Sequence, residues 1–297
     1  MATNNLSYQF KTANIIIKLI VINVVLFLFA TLGSWIFKSS PGALMSWFVL
    51  PVDPGSLIIQ FWSVLTYSFL HFDFWHIFWN MLVLYWFGQY VLNLFTEKRF
   101  LTIYLLGAIC GGLLFVLAYN VFPVLSGSLA YLIGASAAVR AIMIFIAVYT
   151  PNAAVRIIFF NVKLWQIGLF VVLSDLIQIP TSSNAGGLIA HMGGAIFGYF
   201  YAMQLKKGTD IGSWFEKLMD GLVSMFKPKK KSPLKTVHKS KTYTKSTKTT
   251  ATSRTKKHTK TPNQEQIDAI LDKISKSGYD SLTKEEKDFL FKAGKEE

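Results

Sequence analysis

Leu132-Ile133-Gly134-Ala135-Ser136-Ala137-Ala138 places one serine among small and apolar residues at the head of a long apolar run. A second stretch, Ala190-His191-Met192-Gly193-Gly194, places a histidine inside the last apolar run. A serine hydroxyl is a weak nucleophile until a base takes its proton, and histidine is the commonest such base. Whether the two meet depends on how the apolar runs around them fold.

The chain has 297 residues, is 52% hydrophobic and has a mean hydropathy of +0.40. That is too apolar for an ordinary soluble domain. Its net charge of +14 is unevenly placed: charges are scarce from Ala13 to Leu205, and most lysines lie from Lys206 onward. This asymmetry predicts a membrane domain over 1–205, a basic low-complexity cytoplasmic linker over 206–262 and a small helical hairpin over 263–297. The single cysteine, Cys110, excludes an intrachain disulfide. The first apolar run lacks a small-residue cleavage site, so it reads as a retained helix and not a removed signal peptide.

A bilayer core takes about 20 apolar residues as a helix. Stretches approaching that length are Asn14–Phe37, His71–Phe95, Phe100–Val121, Leu129–Tyr149, Leu164–Ile179 and Gly186–Leu205. The expected fold class is therefore all-α: a polytopic membrane protein with a six-transmembrane-helix bundle, a disordered basic tail and the small hairpin. With the N-terminus inside, the inner segments carry Lys11, Lys18, Lys98, Arg99, Arg156, Lys163, Lys206 and Lys207, and the outer ones only Lys38. The positive-inside rule then puts both termini in the cytoplasm. The connection from Lys38 to Leu70 is apolar and interrupted by Pro51 and Pro54, which predicts an interfacial loop with tryptophans at the boundary.

The tail from Lys227 to Lys260 is rich in Lys, Thr and Ser and holds no acidic residue. It is expected to be disordered and to lie along anionic lipid. Nucleic acid is not an expected partner, because Tyr243 is the tail's only aromatic residue. Beyond it, Ile267, Ile270, Leu271 and Ile274 have helical spacing, Ser277-Gly278 is a stop, and Thr283 to Glu286 is a capping box.

Polar side chains at membrane depth are costly and tend to be functional. The second run holds His71, Asp73, His76 and Asn80; His76 and Asn80 share a helix face. In the N-in layout the second, fourth and sixth runs all enter from outside. Ser136 then lies about 10 Å along the fourth and His191 about 7 Å along the sixth, at 1.5 Å per residue. His76 lies at similar depth. Ser136, His191, His76 and Asn80 are thus expected at one level in the outer half of the membrane. Gly194 and Gly198, with Ala190 on the same face, and Gly134 with Ala137 would let the two helices approach closely.

With these residues in view, the chain resembles the rhomboid family of intramembrane serine proteases from about Asn14 to Leu205. The motifs are His76-Ile77-Phe78-Trp79-Asn80, Gly134-Ala135-Ser136-Ala137 and His191-Met192-Gly193-Gly194-Ala195-Ile196-Phe197-Gly198. Each alone is weak; all three, in order on the second, fourth and sixth runs, are specific. The resemblance implies a Ser136–His191 dyad without an acidic third member, Ser136 as nucleophile and His191 as general base. It implies an oxyanion site from the Ser136 backbone N–H, His76 and Asn80. His71 would support the loop before the second helix. It implies no cofactor or metal, single-pass transmembrane proteins as substrates that enter between the second and fifth helices, and a lid from Pro180 to Gly187 hinged at Gly186-Gly187. A bacterial inner membrane suits this reading; substrate identity and oligomeric state are left open.

The chain departs from the family pattern at Ala137, where glycine is common, and at Ser63 after Phe61-Trp62, where some members carry arginine. A third departure is Arg140, one turn below Ser136, where members commonly place an aromatic residue. An arginine stays charged and calls for a partner at this depth. Asp175, the one acidic residue of the fifth run, is the expected partner, and the two are the candidate site modulators. A positive Arg140 near His191 would also favour the neutral imidazole a base requires. The alternatives are a catalytically inactive rhomboid-like client-binder, a transporter, and a membrane anchor serving the tail. No internal repeat favours transport, and the anchor reading leaves the three motifs unexplained.

Overall fold

The computed structural model describes residues 6–125, 130–157, 160–226 and 262–293. The described chain is mostly helical. Its helices are α1 (Leu6–Thr12), α2 (Ile15–Ile36), α3 (Pro41–Leu44), α4 (Pro54–Ile59), α5 (Ser63–Thr66), α6 (Phe74–Leu92), α7 (Glu97–Val121), α8 (Ser136–Tyr149), α9 (Leu164–Gln178), α10 (Ala185–Lys206), α11 (Ser213–Phe226), α12 (Pro262–Ser277) and α13 (Lys284–Ala293). Two antiparallel pairs complete it. β1 (Leu50–Pro51) pairs with β2 (Tyr131–Leu132), and β3 (Ala154–Ile157) forms a hairpin with β4 (Phe160–Lys163).

Side-chain caps set the helix starts. Asn14 accepts from Ile17 N at 3.1 Å, Asp73 from His76 N at 2.8 Å, Thr96 from Arg99 N at 3.3 Å and Asn184 from Gly187 N at 3.1 Å. Asp73 is therefore an N-cap, and α6 starts at Phe74, not at His71. Pro41 and Pro54 each occupy a first helical position, where the missing N–H costs nothing. Pro54 thus opens a helix within the 38–70 connection instead of breaking one. That connection is folded: Trp62 Nε1 donates to Trp47 O and Thr66 Oγ1 to Phe48 O, both at 2.8 Å.

α8 is the centre. Ala137 to Ala147 are buried apart from Arg140, and α10, α7, α6 and α9 pack around them. The approach is made by small residues on both sides. A Cβ on Gly194 or Gly198 of α10 would fall on the carbonyls of Ala137 or Ala141. One on Gly107 or Gly111 of α7 would fall on the Cβ atoms of Ala141 or Ala137. Gly194 and Gly198 are thus helix-contact positions. Gly134 precedes α8 and has a different task, described below.

The outward faces carry large apolar side chains: Phe29 on α2, Trp75, Trp79 and Trp86 on α6, Phe170 and Ile177 on α9 are all exposed. A water-facing surface does not sustain such a band, whereas lipid does. Among the described residues two helices are long and apolar enough to cross a membrane by length and composition, Ile15–Ile36 and Glu97–Val121. α6 and α10 are diluted by His76, Asn80 and Gln89 and by a run of glycines, and α8 and α9 are shorter apolar helices.

The chain divides into compact units Met1–Lys230 and Lys231–Glu297. At the end of the first unit, Asp210 accepts from Arg99, from Tyr201 Oη at 2.8 Å and from Gly212 N at 3.0 Å. These donors outweigh its burial and hold its carboxyl below the usual carboxylate range. α11 packs Phe215 inward and exposes Trp214, Leu218 and Met225. In the second unit, α12 ends at Gly278 (φ +77), and Thr283 and Glu286 form the expected capping box, 2.8 and 3.3 Å. The expected basic, lipid-lying tail from Lys227 to Lys260 is outside the described residues.

Candidate active site

Ser136 is the first residue of α8, not two turns into a helix from Leu129. Gly134 explains the difference. Its φ of +108 is a backbone conformation that side-chain-bearing residues rarely adopt. Its N–H donates to Tyr67 O at 3.0 Å, and a Cβ on it would come within 2.6 Å of His76 Nε2 and Cε1. The chain turns at this glycine, His76 fills the space it leaves, and the helix begins two residues later.

The next amide is also held. Ala135 N donates to Nε2 of the fully buried His71 at 3.3 Å. His71 thus ties the segment before α6 to the turn before Ser136, while its ring meets His76 edge-on at 4.9 Å. This role was not read from sequence beyond support of its own loop. Ala135 provides no side-chain cap for α8. The Ser136 N–H opens the helix and points from its positive end, a ready place for a developing oxyanion.

A cavity of about 410 Å³ opens over this helix end. Ser136, His191, His76, Asn80 and Arg140 line it, with Trp75, Trp79 and Asn184 at its sides. Residues from α6, α8 and α10 are thereby brought together. Asn80 Nδ2 donates back to His76 O at 2.9 Å, which steadies the side chain and leaves its second N–H for a ligand. Ser136 Oγ makes no hydrogen bond among the described residues, so the serine and histidine share the cavity without being bonded. Such pairs commonly tighten only when a substrate is bound.

The histidine is bonded elsewhere. His191 Nδ1 stands 3.1 Å from Asp175 Oδ2. Asp175, on α9, is also gripped by Arg140, with Nε 2.8 Å from Oδ2 and Nη2 3.2 Å from Oδ1. The structure thus brings Arg140 and Asp175 together as a two-pronged ion pair. It adds the Asp175–His191 contact, which the sequence reading, with its dyad lacking an acidic member, does not contain. The available signal was short: α9 and α10 are joined by only a few residues, so they must run antiparallel side by side.

Gly186 and Gly187, the expected lid hinge, lie in the first turn of α10. Gly186 packs on Phe115 and Tyr119, and Gly187 N is held by the Asn184 cap. Their lack of side chains serves close packing at a helix start. Among the described residues no group of three or more His, Cys, Asp or Glu stands close enough to hold a metal ion.

Comparison with known proteins identifies the family. The Rhomboid domain model matches residues 59–208, just over half of the chain. A family of unknown function, DUF6576, matches residues 256–293 and so covers the α12–α13 hairpin. The chain is 32% identical over 158 residues to "RHOMBOID-like protein 12, mitochondrial" of Arabidopsis thaliana, covering 49% of this chain and 47% of that protein. It is 26% identical over 219 residues to "Rhomboid protein 1, mitochondrial" of Saccharomyces cerevisiae, 69% of this chain and 60% of that protein. It is 27% identical over 139 residues to the human "Presenilin-associated rhomboid-like protein, mitochondrial", 45% and 35% of the two chains. The chain spans about half or less of the length of most curated relatives it matches.

Proposed function

This chain belongs to the rhomboid family, a membrane-embedded family typified by intramembrane serine proteases, and we propose that it is itself an endopeptidase that cleaves transmembrane segments of membrane proteins. The observation that carries the reading is the convergence of Ser136, His191, His76 and Asn80 on one cavity at an open helix end. In the proposed reaction Ser136 Oγ attacks the scissile carbonyl as His191 takes its proton. His191 then returns that proton to the departing amine, leaving an acyl-serine that water hydrolyses. The Ser136 N–H, Asn80 and His76 donate to the oxyanion.

The proposed setting is a six-span bundle of α2, α6, α7, α8, α9 and α10 in a bacterial inner membrane, both termini cytoplasmic, with the tail along anionic lipid. The mitochondrial locations in the relatives' names belong to those proteins. The proposed domain plan is 1–205 protease, 206–262 linker and 263–297 hairpin, and the proposed substrates are single-pass membrane proteins.

The 297-residue protein in liposomes, incubated with a fluorogenic transmembrane substrate beside Ser136→Ala and His191→Ala, tests this. Cleavage by the parent and by neither variant is expected. A folded parent that neither cleaves nor reacts with a fluorophosphonate would favour the second reading, a client-binder that does not cut. The unbonded Ser136 Oγ and the arginine below it are what recommend that alternative.

A further inference from the structure

The hydrogen bond between Asp175 and His191 has a use that a structural ion pair does not require. We propose that Asp175 is the positioning residue of His191 and that Arg140 clamps it. Nucleophile, base and carboxylate would then form a relay across α8, α10 and α9 in place of a two-residue dyad. The proposal rests on the protease reading above and deepens it.

Asp175 is almost fully buried, with a side-chain exposure of 6%. A carboxylate in such a place is retained where it is paired. Arg140 supplies a permanent charge through two N–H groups, which makes the carboxylate an acceptor only. An acceptor 3.1 Å from His191 Nδ1 demands a proton on that nitrogen, since two facing lone pairs would repel. In the neutral ring the other nitrogen, Nε2, then carries the lone pair. The serine's proton can go only to such a nitrogen. Asp175 thus selects the useful tautomer and aims the ring, while the shared Oδ2 keeps Arg140 from moving away.

Arg140 also offsets what a bare carboxylate would do. Asp175 alone would favour imidazolium before any substrate arrives, leaving the base occupied. The guanidinium on the same oxygen balances that pull. The titratable and charged groups that face His191 are Asp175 on α9, Arg140 on α8 and His76 on α6. On the α7 side, Gly193 meets the backbone of Cys110 and Gly111 and the side chain of Leu114, with no charge.

The test uses the full chain in liposomes and two readouts. First, Asp175→Asn should lower kcat by about tenfold or more with KM changed by less than about threefold, since aim and not binding is lost, and Asp175→Glu should recover part of it. Arg140→Met should move the acid limb of the kcat/KM profile to higher pH, with activity regained on the alkaline side. A mere tie between α8 and α9 would lower the amplitude and the Tm without moving the limb. Second, nitrogen NMR of histidine-labelled protein should show His191 protonated at Nδ1 in the parent. An Asp175→Asn enzyme with parental kcat, or an Arg140→Met profile with an unmoved limb, overturns the proposal. If the parent does not cleave at all, the protease reading fails, and the NMR decides the positioning claim alone: a proton on Nε2 sinks it, a proton on Nδ1 that Asp175→Asn removes supports it. Should Asp175→Asn fail to fold, Arg140→Met and the NMR of the parent still decide.

Discussion

Gly194→Ala should loosen the molecule at its centre, and the size of the effect can be worked from the contact. A methyl there would sit on the Ala137 carbonyl oxygen, 2.8 Å from its carbon and 3.2 Å from its Cα. The obstacle is backbone of the neighbouring helix, so no rotamer change relieves it and α10 must move off α8. Overpacking typically costs 1–3 kcal/mol, and a backbone clash belongs at about 3 kcal/mol. Replacing glycine by alanine inside a helix returns about 1 kcal/mol. The net is a loss of about 2 kcal/mol, or a fall in Tm of about 4–8 °C for a domain of this size. Gly221→Ala is the control, because a Cβ on that α11 glycine meets nothing within 4 Å. It should keep or raise the Tm through helix propensity alone. Thermal unfolding of the two variants in one detergent reads both. Ala137 follows Ser136 directly, so Gly194→Ala should also cut the proposed protease activity. A Gly194→Ala protein as stable as the parent would refute the close approach of α8 and α10.

Gly134→Ala forces an unfavourable φ worth about 1–3 kcal/mol and displaces His76 from the serine turn. Activity in the liposome assay should fall by about 100-fold, while Ser136 remains present for fluorophosphonate labelling at a reduced rate. Asp210→Asn weakens a carboxylate held by Arg99, Tyr201 and Gly212 and should cost about 1–2 kcal/mol, measured by unfolding at neutral pH. Its folded-state pKa is depressed, so the parent's advantage over Asp210→Asn is present above the unfolded aspartate value of about 3.9. That advantage should disappear as the pH falls through the folded value; a difference that persists in acid would refute the assignment.

The meeting of Ser136, His191, His76 and Asn80 at one cavity was legible because they lie in three separate apolar runs at similar offsets from one end of each. The starts of those helices were less legible. Hydropathy reports which residues are apolar, and it reads Tyr131 to Ala135 as more helix, whereas the positive φ of Gly134 and the pairing of Tyr131–Leu132 with Leu50–Pro51 stop it there. Arg140 and Asp175 could be matched by charge, because a lone arginine at depth calls for an acid. The third partner could not, since which nitrogen of which ring the carboxylate reaches depends on how α9 and α10 are rotated against each other. His71 shows the same limit. The resemblance implied that it supports the loop before the second helix, but its acceptor role toward Ala135 joins loops more than sixty residues apart.

The length of α8 has a bearing on the supply of water. Hydrolysis consumes one water for every bond cut, and a bilayer interior holds almost none. A helix of 14 residues covers about 21 Å, against a hydrocarbon core of about 30 Å. In the proposed six-span arrangement this helix would not line the whole thickness, and the turns it lacks would lie on the Ser136 side, where the chain turns at Gly134. His76, Asn80 and Asn184 line the cavity at that helix end. On the proposed protease reading, the second reactant would reach the serine because a stretch of helix is left out, with the cavity over Ser136 serving as a well for the outer solution. Lengthening α8 at its head would close that well before it touched any reacting group.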